Sequence, residues 1–139
     1  MNKRFIVSVV VLFVISMALG FIVHALLLGA DYARLPNLMR TPDDAEKYFP
    51  FMLLAHVFIA LGFTWIYLRG REDKPWLGQG VRFGLAVAVL STIPIYLIYH
   101  AVAPFPIDLV VKQIAFDTIS VVLMGVVVAW INRGSPADH

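Results

Sequence analysis

Cysteine is missing from all 139 residues, which excludes disulfides, cysteine-ligated metals, thiol catalysis and a lipoprotein anchor. Redox chemistry therefore says nothing about the compartment. Charge is scarce as well. Only 14% of residues are Asp, Glu, Lys or Arg, and the net charge of +2 is too small to suggest nucleic acid. The chain carries no glycine-rich phosphate loop between a strand and a helix, no GxSxG elbow and no HExxH pair. Paired acids in a glycosidase-like context are also lacking. These absences argue against an enzyme.

What the chain has is apolar length. Hydrophobic residues make up 60% of it, and its mean hydropathy is +0.83. Uninterrupted apolar runs long enough to cross a ~30 Å hydrocarbon core predict an integral membrane protein. The expected fold is all-α: one membrane domain, residues 1–139, with four spans at about 5–28, 51–68, 80–101 and 107–131.

The basic start Lys3-Arg4 followed by an apolar run resembles a signal peptide. The run is about twice the ~7–15 residues of a signal core, however, and Ala30-Asp31-Tyr32-Ala33 is a poor cleavage site, so a retained helix is expected. Gly29 to Phe49 is the sizeable loop. Within it Thr41 can cap a helix, Pro42 suits a first helical position, and Asp43, Asp44 and Glu46 complement the positive helix end. A short interfacial helix is therefore predicted there, with a bend at Pro50 before span two and a kink at Pro94 inside span three. Ala103-Pro104-Phe105-Pro106 predicts a tight turn between spans three and four.

Basic residues orient the bundle. Lys3, Arg4, Arg69, Arg71, Lys74, Arg82 and Arg133 fall at one side, and Arg34, Arg40 and Lys47 at the other. The positive-inside rule then puts both termini in the cytoplasm.

Polar residues inside spans cost a few kcal/mol unless paired or watered, so each calls for a reason. Span four carries Asp108, Lys112, Gln113 and Asp117 in its first three turns, about 15 Å deep at Asp117. His24, His56, Tyr96 and His100 lie toward the same side of the other spans. Four-residue stripes of small residues, such as Gly80, Gly84 and Ala88, predict close helix packing. With those faces turned inward, the polar residues form one cavity opening outward, while Val, Leu, Ile and Gly hold the inner half.

Three readings of the cluster compete. In a structural one, Asp117 accepts hydrogen bonds from hydroxyls or a histidine, and Asp108–Lys112 is a helix pair at i,i+4. In a second, the cavity binds a small polar ligand or relays protons. In a third, some of His24, His56, His100 and Asp117 ligate a metal or haem, with His24, His56 and Asp117 as the candidate set. The histidines lie on separate spans and form no local motif such as HxxxH. The residues specify no cofactor.

Leu19-Gly20-Phe21, Gly78-Gln79-Gly80-Val81-Arg82-Phe83-Gly84, Phe116-Asp117-Thr118, Met124-Gly125 and Ala129-Trp130 give the chain a further likeness. In these short motifs it resembles small bacterial four-helix integral membrane proteins of unknown function. The resemblance implies an uncharacterised family and transfers no residue role; the expected location is the bacterial inner membrane. The leading expectation is a small membrane-embedded binding or accessory protein. A small-solute or proton-coupled permease acting as a homo-oligomer or with a partner subunit is the alternative, and a metal- or haem-binding subunit the third.

Overall fold

The structure is a computed structural model that describes residues 2–134, and no strand occurs among the described residues. In chain order the helices are α1 (Lys3–Leu27), α2 (Gly29–Ala33), α3 (Pro42–Lys47), α4 (Phe49–Gly70), α5 (Trp76–Val102) and α6 (Ile107–Asn132). Of these, α1, α4, α5 and α6 contain 22 to 27 residues each, about 33–40 Å of helix. That length crosses a bilayer core, and a helix satisfies its own backbone where lipid offers no partner. The chain is an all-α, multi-pass membrane protein with a four-helix bundle. Its surface matches: Val10, Phe21, Leu26, Phe58, Leu90 and Val102 are large, apolar and exposed.

The predicted interfacial helix is α3. Thr41 accepts from the Asp44 amide at 3.4 Å, and Pro42 occupies the first turn. The bend before span two lies at Tyr48, not Pro50, which sits in the first turn of α4 where its missing amide is not needed. One helix was not anticipated. Residues 29–33, read as loop, form α2 and fold back over the end of α1, burying Leu28 against Val23 and Leu109.

Two spans contain wide turns with bonds to the fifth residue back. In α1 the segment Phe21–Leu27 is π-helical, and the Leu28 amide donates to the Val23 carbonyl at 2.9 Å. In α5 the same happens at Ala88–Thr92, where the Ile93 amide bonds the Ala88 carbonyl just before Pro94. The kink expected at Pro94 thus takes the form of a widened turn. A strict four-residue stripe drifts ~40° per step on an α-helix. A π turn rotates less per residue and takes back part of that drift. Gly80, Gly84, Ala88 and Thr92 accordingly all stay buried along α5.

The tightest contact joins α5 to α6 through Gly80, Gly84 and Gly125. A Cβ built on Gly84 would lie 2.5 Å from the Val122 Cα, and one on Gly80 would lie 2.6 Å from the Gly125 carbonyl oxygen. By contrast α4 packs mainly along α1. It meets α5 through Phe63 and Tyr67 at the edges of Phe83, with ring centroids 4.8 and 5.3 Å apart.

The end of the bundle that carries the termini was expected to hold only apolar and glycine positions within the membrane. The structure differs. Asn132 is still helical and buried, and its side-chain amide donates to the Ser8 hydroxyl at 2.9 Å and the Val128 carbonyl at 2.8 Å. Arg71 donates to the Asn132 carbonyl at 3.1 Å. Hence α1, α4 and α6 are tied together there by polar bonds above an apolar core of Leu12, Ala60, Phe63, Met124 and Val128.

Gly84→Val should separate α5 from α6 and lower stability by about 1–3 kcal/mol, the usual cost of overpacking. Gly70→Ala, with open space around its added methyl, should leave stability nearly unchanged. Thermal unfolding in detergent checks both, and equal effects would contradict the seam.

Candidate functional site

Asp117 lies on α6 as a half-buried carboxylate in the apolar part of a span. Its Oδ2 accepts two hydrogen bonds, from the Tyr96 hydroxyl of α5 and from His24 Nε2 of α1 at 3.1 Å. The donors arrive from both widened helices. His24 stands in the π turn of α1, and Tyr96 stands one turn beyond that of α5.

A chain of bonds continues from His24. Its Nδ1 lies 2.7 Å from the Tyr32 hydroxyl of α2, which also accepts from Gln113 Nε2 at 3.1 Å. Proton bookkeeping fixes the directions. Asp117 offers His24 an acceptor, so Nε2 carries the hydrogen. In the tautomer that carries only this hydrogen, Nδ1 accepts the single Tyr32 hydroxyl proton. Burial pushes the Tyr32 phenol above its ordinary value, so this proton is retained at neutral pH. Every bond points the same way: Gln113 to Tyr32, Tyr32 to His24, His24 to Asp117.

His56 belongs to a second, separate arrangement. Its Nδ1 lies 2.9 Å from the Ser16 hydroxyl, and Ser16 spends its proton on the Phe13 carbonyl at 3.0 Å. Ser16 can therefore only accept, which places the hydrogen on His56 Nδ1 and leaves Nε2 with its lone pair. That nitrogen faces Gly20, where an added Cβ would stand 3.6 Å away.

His24, His56 and Asp117 line one cleft of about 460 Å³, a volume within the range of small-molecule sites. Its walls are mostly apolar: Phe58, Ile59, Gly62 and Ile66 of α4 face Val87, Ser91 and Thr92 of α5. Phe58 and Ile66 are exposed on the membrane surface, so the cleft opens sideways between α4 and α5. The sequence pointed instead to a polar cavity opening at the bundle end. That end is closed by α2 and by Leu28, Leu109, Leu35 and Phe105. A smaller cavity of about 180 Å³, lined by Tyr32, Tyr96, Gln113, Tyr99, Met39 and Phe105, lies on the other side of the hydrogen-bonded chain.

The remaining candidates fall outside the cleft. Lys112 pairs with Asp31 of α2 at 3.0 Å and not with Asp108, which is exposed and has no ion pair among the described residues. The expected Asp108–Lys112 helix pair is replaced because α2 brings a largely buried carboxylate within reach of the lysine. His100 is exposed at the end of α5 and donates from Nδ1 to the Phe105 carbonyl at 2.8 Å, fastening the turn before α6. It joins neither cavity. For metal binding, no group of three or more His, Cys, Asp or Glu gathers among the described residues. Both nitrogens of His24 are also already engaged.

Sequence reasoning missed Tyr32 and Asp31, since both were assigned to a loop. A usable signal existed in an acid and a tyrosine directly after an apolar span. Thr92, buried beside the cleft, was seen only as part of a packing stripe. No protein-family model matches this chain, and neither a curated protein nor a solved structure matches it.

In a double-mutant cycle, Tyr96→Phe and Asp117→Asn should be coupled by about 1–3 kcal/mol, as expected for a hydrogen bond to a charged group. Tyr96→Phe with Asp108→Asn should be additive to within about 0.5 kcal/mol. Unfolding in mixed micelles measures both, and additivity in the first pair would place Tyr96 outside the network.

Proposed function

We propose that this chain is a small, non-enzymatic binding protein of the bacterial inner membrane whose cleft holds a ligand drawn from the bilayer. The observation that carries this reading is the cleft itself. It is roomy, mostly apolar, open toward lipid, and backed by Asp117, His24 and His56. Buried polar groups on an otherwise apolar wall are costly to maintain, and they fix the orientation of whatever fills the space. The neighbouring Gly62, with nothing within 4 Å of an added Cβ, keeps the cleft wide on the α4 side.

Both termini are assigned to the cytoplasm on the distribution of basic residues, with α2, α3 and the turn at 103–106 on the outer side. Because the chain contains no cysteine, single substitutions report topology directly. On intact cells a membrane-impermeant maleimide should label Asp43→Cys, and should label Asp73→Cys only after lysis. The reverse pattern would invert the orientation.

Gly62→Phe should fill the cleft without touching a polar group. Protein released from nanodiscs into a native mass spectrometer should carry a small apolar adduct in the parent chain, and lose it in Gly62→Phe. An adduct retained at equal occupancy in the variant would place binding elsewhere.

A further inference from the structure

The hydrogen-bond directions around the cleft restrict what can bind there. Asp117 Oδ2 is filled by two donors, while its Oδ1 has no protein partner among the described residues. His56 holds its hydrogen toward Ser16 and presents a bare Nε2 on the Gly20 side. The lining hydroxyls of Ser91 and Ser120 are spent on the Val87 and Phe116 carbonyls, at 2.8 and 3.0 Å. Ser16 has likewise given its proton to Phe13. Thr92 alone among the described lining hydroxyls has no fixed partner, and it can accept as readily as donate. His24 turns both ring nitrogens to Asp117 and Tyr32, so it offers the cleft no free donor. Lys112, on the same helix as Asp117, is committed to Asp31.

The cleft is therefore a wall of acceptors around the Asp117 carboxyl group, set in apolar surroundings. A carboxylate or phosphate head would face the Asp117 carboxyl group and find no donor beyond the single Thr92 hydroxyl. A neutral alkyl chain would leave two acceptors unpaired in a dry place, at the cost of their desolvation. An N–H cation meets both needs, since its hydrogens suit Asp117 Oδ1 and His56 Nε2, acceptors in the same cleft, and its tail suits Phe58, Ile59 and Ile66.

We propose that the ligand is a lipophilic amine in its protonated form, entering sideways from the bilayer between α4 and α5. The proposal rests on the binding role of the cleft and adds the chemical class of its occupant.

Equilibrium binding of three radiolabelled probes to protein in zwitterionic nanodiscs, corrected for empty nanodiscs, separates the two claims. The probes are dodecylammonium, dodecyltrimethylammonium and dodecanol. Dodecylammonium should bind about 10-fold or more tightly than either of the others, the worth of roughly one charge-assisted hydrogen bond in a dry site. Gly62→Phe should abolish its binding. Asp117→Asn should weaken dodecylammonium about 10-fold and leave dodecanol unchanged, and His56→Phe should narrow, without erasing, the advantage of dodecylammonium over the trimethyl probe. Equal binding of all three probes, still lost in Gly62→Phe, would overturn the amine while keeping a binding cleft. Preference for the trimethyl probe would also overturn it, because that cation has no N–H to give. Absence of any saturable, Gly62→Phe-sensitive binding would overturn the cleft as a site and the amine with it. The parent-chain ranking of the probes decides the question even where Asp117→Asn folds poorly.

Discussion

A carboxylate midway along a membrane helix must be met by donors from the protein, because the surrounding lipid supplies none. Asp117 sets that requirement, and much of the bundle serves it. His24 reaches it from α1, Tyr96 from α5, and Tyr32 and Gln113 stand behind His24 as a second rank. Each donor comes from a different part of the chain. The arrangement forms only once the spans are assembled, so satisfying one acid also specifies the register of three helices.

The widened turns make that register possible. An α-helix carrying a four-residue stripe rotates it steadily away from its neighbour. In α5 the π turn at Ala88–Thr92 lets the glycine seam and Tyr96 face the same way. The seam in turn decides where the cleft lies. Gly80, Gly84 and Gly125 draw α5 and α6 into backbone contact, while α4 has no comparable run of small residues against α5 and leans on α1. Two helix pairs of unequal tightness leave a gap between α4 and α5. It is closed at the termini end by Phe63, Tyr67 and Phe83, and open above them.

The spans, the α3 cap and the glycine faces were legible because each is a local rule: apolar length, a Thr-Pro start, residues four apart. Asp117 stood out for the same reason, as a lone charge in an apolar run. What was not legible is long-range. Nothing in Gly29-Ala30-Asp31-Tyr32-Ala33 announces a helix that folds back over α1, and without it Lys112 has Asp108 as its obvious partner. Pro94 hinted at irregularity in α5, but residues 21–27 hold no proline to mark the matching turn in α1. The direction of the opening was misjudged because polarity along a helix gives depth, whereas a sideways cleft depends on how far apart two helices stand.

The hydrogen-bonded chain separates two cavities, and its layout bears on transport. Tyr32, Gln113 and Tyr96 line the smaller cavity near the loop end, and His24 and Asp117 line the cleft. Tyr32 and His24 each accept one bond and donate another, so hydrogen bonds run unbroken from Gln113 to Asp117. Beyond Asp117 the path ends. The termini half is packed with Leu12, Ala60, Phe63, Met124 and Val128, and the buried Thr64 hydroxyl there has no hydrogen-bond partner among the described residues. Among the described residues the bonded chain joins the loop-end cavity to the lipid-facing cleft and stops at Asp117. Carrying a solute across would need a second path through that apolar packing.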